Sequence, residues 1–411
     1  MNQEIVETIA YLSRVKKLDR DFVITALKDA IASVLKKKYG PDFPLEVKVD
    51  GQRGDIQILV QKVVVEKVKD PDREISLEEA RQQFPDIEPG ETIMTQLPFD
   101  QLGRGIVSRI RNNFTQRIRE AEKLRIYKDF QNRIGELIKA RVWRVDKTGV
   151  YLNVGGGAEG LIPPEEQIPG ERYRTNRDVY ALILRVDKET RRKPLVFLSR
   201  THPDFLRRLM EHEIPEVADG TVEIRAVARI PGKRAKVAVR SKDPRVDPVG
   251  ACIGPRGQRI NPVVRELGNE KIDIIRWYPD TIRLAASALS PAVPLMIFEK
   301  DDTIYAVVRD EEIAETKGKE GLNVILASRI VGKDIQVIPA SEYEPPADVL
   351  TVMELDLPEE VKEKLRRAGW FQFTEVPLLA DLIETTDLDE KTVLRILHQI
   401  EEGLEKKRGS A

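Results

Sequence analysis

Two short glycine loops, 64 residues apart, constrain the fold of this chain more than any other feature. The first is Gly-Pro-Arg-Gly at residues 254–257, and the second is Gly-Lys-Glu-Gly at residues 318–321. The same shift places Gly268 on Gly332. Each loop lies between two helical segments, with two strand-like runs before it and one after it. An internal duplication of one α/β unit explains this pattern.

A Gly-x-x-Gly loop between two helices of such a unit is typical of the KH module, which holds the backbone of single-stranded nucleic acid. Glycine permits positive φ and a close approach of phosphate, and the following helix offers unpaired N–H groups. One such loop would be a weak signal, whereas two in the same context are a strong one. The predicted contacts at the loops are Gly254, Pro255, Arg256, Gly257, Arg259, Gly318, Lys319, Gly321 and Asn323.

The charge distribution agrees with a nucleic-acid partner. The whole chain has 68 basic and 69 acidic residues, but residues 221–277 contain thirteen basic and six acidic ones. A local excess of this kind is the electrostatic footprint of a phosphate backbone. We therefore add Arg234, Lys236 and Arg240, from the strand-like run before the first loop, to the predicted RNA contacts.

The length and composition exclude several classes of protein. With 411 residues, of which 41% are hydrophobic and 33% charged, the chain is a soluble protein of several domains. No stretch approaches the roughly 20 apolar residues of a membrane span, and the first residues lack the layout of a signal peptide. We expect a cytoplasmic protein, a monomer without a membrane partner.

The residues that usually carry catalysis or hold metals are sparse. Cys252 is the single cysteine and is expected to be a buried packing residue. Three scattered histidines offer no pair at metal-ligand spacing. Residues 155–160 match the dinucleotide fingerprint, but Pro163 and Pro164 replace the helix that such a site needs. No Walker A loop or nucleophile elbow is present, so we expect no catalytic residues, metal or cofactor and no enzymatic activity.

Residues 134–199 change to five short strands broken by turns, which favours a small closed barrel of the oligonucleotide-binding type. Tyr151 on one of these strands has two alternative roles. It is either an aromatic on the open face, where it stacks on a base, or a core tyrosine.

The first 130 residues open with an amphipathic helix and contain β-rich runs and a long helix near residues 102–130. That long helix carries several arginines on its polar faces, among them Arg104, Arg109 and Arg117. They form either a solvated surface or a binding face, and the pattern leaves both alternatives open.

Taken together, the chain resembles the NusA family of bacterial transcription elongation and termination factors. The resemblance rests on "EIPEVADGTVEIRAVAR", "DPVGACIGPRGQRI", "EKIDIIRW", "VVEKVKDPDREISLEEAR" and "QRIREAEK". It implies a multidomain α+β protein with an N-terminal α/β domain, an S1 OB-fold β-barrel, two tandem type II KH domains and a small C-terminal α-helical domain. The implied boundaries are 1–130, 131–200, 201–277, 278–345 and 346–411.

The resemblance also implies a function. The N-terminal domain would bind the RNA polymerase core, with Arg104, Arg109 and Arg117 as weaker candidates for that contact. The S1 and KH modules would receive the nascent single-stranded RNA, which would modulate pausing, intrinsic termination and antitermination together with other Nus factors. The alternative is an S1/KH accessory protein of RNA degradation or translation. An RNA-degrading enzyme of this kind would need a large catalytic core, which is not visible.

The sequence departs from the family pattern at three places: the second loop, Pro163 in the barrel where many S1 domains have a histidine, and the long helix near Arg109. Glu320 lies inside the second loop, where a carboxylate repels phosphate, so we expect the second module to hold RNA more weakly. Lys317 before that loop and Ile325 after it also differ from the usual pattern. Residues 342–411 contain seventeen acidic and nine basic residues. This tail resembles a helix-hairpin-helix unit, and we hypothesise that it masks the basic RNA surface by attraction.

Overall fold

The computed structural model describes residues 10–12, 14, 16, 18–98, 102–188, 196–346 and 349–410. The amphipathic helix expected at the start of the chain lies largely outside these residues. The chain forms two compact units. The first contains residues 1–134, 151–161 and 184–197, and the second contains residues 135–150, 162–183 and 198–411.

The N-terminal domain is built from a four-stranded sheet and two longer helices. Strand β2 pairs antiparallel with β1 and β4 and parallel with β3. Apolar residues of both long helices pack on this sheet, with Ile31, Leu35, Ile58, Ile106 and Ile110 in one buried cluster. The elements are α1 (Arg20–Tyr39), β1 (Leu45–Asp50), β2 (Asp55–Val65), β3 (Glu74–Ser76), α2 (Leu77–Arg81), β4 (Thr92–Gln96) and α3 (Arg104–Gln131).

Five strands then form a closed barrel in the order β5-β6-β7-β9-β8. This confirms the barrel predicted from the short strands between residues 134 and 199. Its strands are β5 (Leu137–Asp146), β6 (Gly149–Gly155), β7 (Ala158–Ile162), β8 (Asp178–Val186) and β9 (Val196–Ser199).

The first duplicated unit has a helix pair, two antiparallel strands, a helix-loop-helix and a final strand. Strand β12 pairs parallel with β11, which pairs antiparallel with β10. The elements are α4 (Pro203–Glu213), α5 (Pro215–Ala218), β10 (Val222–Ile230), β11 (Arg234–Ser241), α6 (Pro248–Ile253), α7 (Ile260–Glu266) and β12 (Lys271–Arg276).

The second unit repeats this order with a single helix in place of the helix pair, and it repeats the strand pairing, with β14 antiparallel to β13 and parallel to β15. The duplication inferred from the glycine spacing is therefore present in the fold. The elements are α8 (Thr281–Ala288), β13 (Met296–Lys300), β14 (Thr303–Val308), α9 (Ile313–Lys317), α10 (Leu322–Val331) and β15 (Asp334–Pro339).

The C-terminal segment is a small helical unit with a two-stranded ribbon. Leu365, Leu382, Val393, Ile396 and Ile400 form its own buried core. Its elements are β16 (Leu350–Thr351), α11 (Glu359–Arg367), β17 (Gln372–Phe373), α12 (Leu379–Thr386) and α13 (Glu390–Ser410). With this unit, the predicted multidomain α+β fold class is confirmed.

One hydrophobic cluster extends across the two KH modules. Ala228, Ala238 and Ile275 from the first sheet pack with the core of the second module, which includes Leu326. Phe371 from the C-terminal unit is 2% exposed and belongs to the same cluster. Burying an apolar side chain of this size contributes about 1.5–3 kcal/mol, so the shared cluster fixes the second module and the tail on the first.

Candidate nucleic-acid interface

The two glycine loops have the same backbone. Gly254 has φ 69° and ψ 170°, and Gly318 has φ 70° and ψ 172°. Gly257 and Gly321 also have positive φ, at 75° and 71°. This conformation favours glycine. A side chain at Gly254 would also collide with Arg259, whose Cγ lies 2.8 Å from the position of a Cβ.

The tip residues of the two loops differ in charge. Arg256 and Glu320 both have positive φ, at 51° and 56°. Arg256 is exposed, and no hydrogen bond or ion pair joins it to another residue that the structure describes. Its guanidinium is therefore available to a phosphate. Pro255, next to it, is also exposed.

Arg259 stabilises the first loop through contacts with other residues of the same module. Its Nη2 lies 2.7 Å from Oε1 of Glu216, and its Nη1 donates a hydrogen bond to the Ala251 carbonyl at 2.8 Å. Cys252, in the helix before the loop, is fully buried, as expected. Burial raises the pKa of its thiol to about 12, so it is an inert packing residue.

The three strand residues predicted as RNA contacts have different environments. Lys236 is completely buried, and its Nζ lies 3.3 Å from Oδ2 of Asp273 and donates to the Ser290 carbonyl at 2.8 Å. This position gives Lys236 a structural role between the modules. Arg234 is mostly buried and donates from Nε to the same Asp273 carboxylate at 2.6 Å. Arg240 is the only one of the three that is exposed.

Arg240 belongs to an aromatic and basic cluster on the first KH sheet. Its guanidinium carbon lies 5.6 Å from the ring centre of Trp277, and that of Arg225 lies 4.7 Å from the same ring. Stacked arginine and aromatic groups of this kind favour single-stranded nucleic acid.

At the second loop, Lys319 is exposed and without a hydrogen bond or ion pair to any described residue. Asn323 is only 1% exposed. Its Nδ2 donates to the carbonyls of Leu289 at 2.9 Å and Thr316 at 3.0 Å. The amide of Asn323 therefore ties the helix to the module interior instead of facing RNA.

In the barrel, Tyr151 is 7% exposed, which favours the core alternative for this residue. Trp143 on β5 is 43% exposed, and the guanidinium carbon of Arg144 lies 5.0 Å from its ring centre. Trp143 is therefore the stacking candidate that the sequence analysis did not single out. The alternation of buried and exposed residues along β5 is the sequence signal for an exposed Trp143. Ile138, Ala140 and Val142 are buried, and the residues between them are exposed.

On the N-terminal domain, Arg104 and Arg109 are exposed on α3. Arg117 is half-buried and donates from Nε to Oδ1 of Asn113 at 3.0 Å. An apolar surface that the sequence analysis missed lies on the same domain. Phe84 and Met94, which are 50% and 42% exposed, line a pocket of about 850 Å³.

Two arginines of the C-terminal unit lie next to the first KH module. Val249, Ile274 and Arg276 of that module line a pocket of about 230 Å³ together with Arg366 and Arg367 of α11. Arg366 is 3% exposed and bonded to a glutamate of its own helix, and its Nε has no hydrogen-bond partner among the described residues. Arg367 is bonded to Glu363 of the same helix, so both arginines that line this pocket have a carboxylate partner on α11.

No helix among the described residues has both the length and the apolar character to span a membrane. Within the same described ranges, no group of three or more histidine, cysteine, aspartate or glutamate side chains could hold a metal ion.

Four protein families match consecutive parts of the chain. They are the NusA N-terminal domain at residues 4–124, the S1 RNA binding domain at 131–195, the NusA-like first KH domain at 200–277 and the NusA-like second KH domain at 282–345.

Curated relatives match over most of their length. The transcription termination/antitermination protein NusA of Halalkalibacterium halodurans is 38% identical over 84% of this chain and 90% of its own. The protein of the same name from Bacillus subtilis is 35% identical over 82% of this chain and 91% of its own. The one from Thermus thermophilus is 37% identical, with 82% and 89% covered.

Proposed function

The chain belongs to the NusA family of transcription termination/antitermination proteins, and on that premise we propose that it binds RNA polymerase and nascent RNA at the same time. Its S1 and KH domains are RNA-binding domains. In this proposal, the double attachment modulates pausing, intrinsic termination and antitermination, because RNA held near the polymerase folds or fails to fold into hairpins at a different rate.

The observation that carries the RNA part of the proposal is the pair of glycine loops with one backbone geometry. We propose the first loop as the stronger site, because Arg256 stands exposed and unpaired at its tip within the described structure. The supporting contacts that we propose are Arg240 on the neighbouring strand and Trp143 on the barrel. Lys236 and Asn323 act indirectly, because both are buried.

We propose the N-terminal domain as the polymerase anchor. Its match to the NusA N-terminal domain supports this role, and its exposed surface offers two kinds of contact. Arg104 and Arg109, with Arg117 beside them, provide charge, whereas Phe84 and Met94 provide an apolar surface of the kind that marks protein interfaces.

The domain boundaries stated above belong to the same proposal: 1–130 for polymerase, 131–200 for S1, 201–277 and 278–345 for KH, and 346–411 for the tail. We propose a cytoplasmic monomer that acts by binding alone, without a cofactor, and that works with other Nus factors. The alternative is an RNA-binding accessory protein of RNA degradation or translation. In that case the N-terminal domain would have no polymerase to bind.

Single-round transcription through a hairpin pause by purified bacterial RNA polymerase tests the proposal. We expect the full chain to lengthen the pause, whereas residues 131–411 alone bind RNA and leave the pause unchanged. A full-length Phe84→Asp variant tests the proposed apolar contact: we expect it to bind RNA like the full chain and to lengthen the pause less. If the full chain and the fragment both bind RNA and neither changes the pause, the binding partner of the N-terminal domain is not RNA polymerase.

A further inference from the structure

The tip of the second glycine loop is paired with a lysine of the first KH module. Lys233 lies in the turn between β10 and β11, and its Nζ lies 2.5 Å from Oε2 of Glu320. Both side chains remain about half exposed, at 52% and 54%. The ion pair holds the pKa of the Glu320 carboxyl below its usual range, so the carboxylate is ionised at neutral pH.

The packing of the two modules holds this pair together. Helix α10, which follows the second loop, packs on β10 and β11 of the first module. Arg329 on that helix donates from Nη1 to the Arg229 carbonyl of β10 at 3.3 Å. The shared hydrophobic cluster lies beneath the same contact. The interface therefore brings the second loop to the β10–β11 turn, whatever the rotamers of the two charged side chains.

The second loop has a positive environment despite its own carboxylate. Lys317 and Lys319 are exposed and have no hydrogen bond or ion pair within the described structure. Nη1 of Arg234 lies 3.7 Å from where the first glycine of the loop would carry a Cβ. Nη2 of the same arginine is buried without a hydrogen-bond partner among the described residues. With Lys233, three lysines lie around the loop and its carboxylate, together with Arg234, which is itself paired with Asp273.

We propose that Lys233 of the first module completes the phosphate site of the second loop, and that Glu320 is the resting counter-ion which RNA displaces. This inference rests on the proposed RNA-binding function and names the group that controls its second site. A phosphodiester oxygen accepts the same charge-assisted hydrogen bond that the carboxylate accepts, so one replaces the other without a change of fold. In the first loop, the residue that corresponds to Glu320 is itself a cation, Arg256.

This arrangement makes the second site dependent on both modules. RNA binding there must break the Lys233–Glu320 pair, and an exposed ion pair of this kind is weak enough to be exchanged. Glu320 thus lowers the affinity of the second loop but keeps Lys233 positioned over it.

Fluorescence anisotropy with a labelled, unstructured single-stranded RNA tests the inference on the full chain. We expect Glu320→Gln to tighten binding about threefold and Lys233→Gln to weaken it about threefold. Lys233→Gln is also expected to lower the slope of log affinity against log salt by about 0.7, the value for one lost phosphate contact on a single strand. In the Glu320→Gln background, the loss caused by Lys233→Gln is expected to be at least as large.

Lys333→Gln is the matched control. Lys333 also forms an ion pair with a glutamate, Glu299 at 2.5 Å, but it lies beyond the far end of α10, roughly 15 Å along the helix from the loop. If Lys233→Gln behaves like Lys333→Gln, or if Glu320→Gln weakens binding, the pair only ties the modules together and the inference is wrong. If Gly257→Asp leaves RNA binding intact, the proposed function itself fails instead.

Discussion

The tips of the two glycine loops offer a comparison within one chain. Arg256 and Glu320 have nearly the same φ and ψ, so the backbone presents both side chains in the same way. What differs between the two sites is charge and neighbours: Arg256 has no partner within the described structure, and Glu320 is paired with Lys233. A difference in RNA affinity between the modules would therefore come from side chains.

A carboxylate placed in each loop measures this difference. We expect Gly257→Asp to weaken single-stranded RNA binding about tenfold and Gly321→Asp about threefold. At Gly257 a Cβ would lie 3.1 Å from the Asn261 amide nitrogen, whereas at Gly321 the nearest atom is Cδ1 of Ile325 at 3.9 Å. The second loop also contains Glu320 already, so another acid changes it less. Anisotropy at one fixed salt concentration is the measurement.

The alanine variants at the same two positions separate strain from charge. Both glycines have positive φ, so both alanine variants carry a similar backbone cost. Equal losses from the two aspartate variants would contradict the ranking. Equal losses from aspartate and alanine at Gly257 would show that loop geometry, and not phosphate repulsion, determines affinity there.

At the scale of single elements, the sequence predicted the type of element better than the direction of its side chains. The duplicated units, the barrel and the glycine loops followed from local patterns and from the 64-residue shift. The face of a strand is harder to assign, because it depends on what packs on either side. Tyr151 and Trp143 lie on neighbouring strands of one barrel, and burial alone distinguishes the core residue from the exposed one.

A count of charged residues along the sequence likewise cannot show which of them are buried or paired. Lys236 contributed to the basic excess of the first module, yet it is buried against Asp273 and Ser290 of the same and the next module. Glu320 and Lys233 are 87 residues apart in the chain, so no local pattern could pair them. Partners that are brought together by module packing need the three-dimensional structure.

The burial of Lys236 on β11 predicts a pH-dependent stability. Burial lowers its pKa to about 8, although Asp273 opposes the shift, while the unfolded chain keeps the ordinary value near 10.5. Between these two values the unfolded state binds more protons, so stability rises with pH. We expect the free energy of unfolding of the wild type, relative to Lys236→Met, to rise by up to about 3 kcal/mol from pH 7 to pH 10.

Urea unfolding followed by tryptophan fluorescence measures this difference. Lys333→Met is the control with the opposite sign, because ion pairs with Glu299 and Asp302 raise the pKa of Lys333. The stability that the Lys333 ion pairs contribute is fully present below the ordinary pKa of lysine. It is lost as the pH rises through the raised pKa of Lys333. A pH-independent difference between the wild type and Lys236→Met would mean that the ammonium is not buried in solution.

At the scale of the whole molecule, the C-terminal unit is the part whose influence on RNA is open to a direct test. It docks through Phe371 in the shared cluster and through Trp370, whose ring centre lies 4.6 Å from the guanidinium carbon of Arg283. Arg366 and Arg367 then line the pocket beside the first KH module. Both arginines are paired with glutamates of α11, so the docked helix brings its own counter-ions to this pocket.

Phe371→Ala tests the masking hypothesis, because removing a buried phenylalanine side chain costs about 3–5 kcal/mol and releases the tail. We expect RNA affinity at low salt to rise about threefold if the acidic tail masks the basic surface, because the alanine variant releases that tail. Phe371→Leu keeps most of the buried volume and is the control. An unchanged or lower affinity for the alanine variant would contradict masking by the acidic tail.

The hydrophobic cluster that the two KH modules share also has a consequence for biosynthesis. Ala228, Ala238 and Ile275 emerge from the ribosome before the residues of the second module that cover them, the last of which in the buried cluster is Ile335. At 5–20 residues per second, the interval is roughly three to twelve seconds. During that time the nascent first module exposes an apolar surface of the kind that chaperones bind, and it does so until its duplicate has been translated.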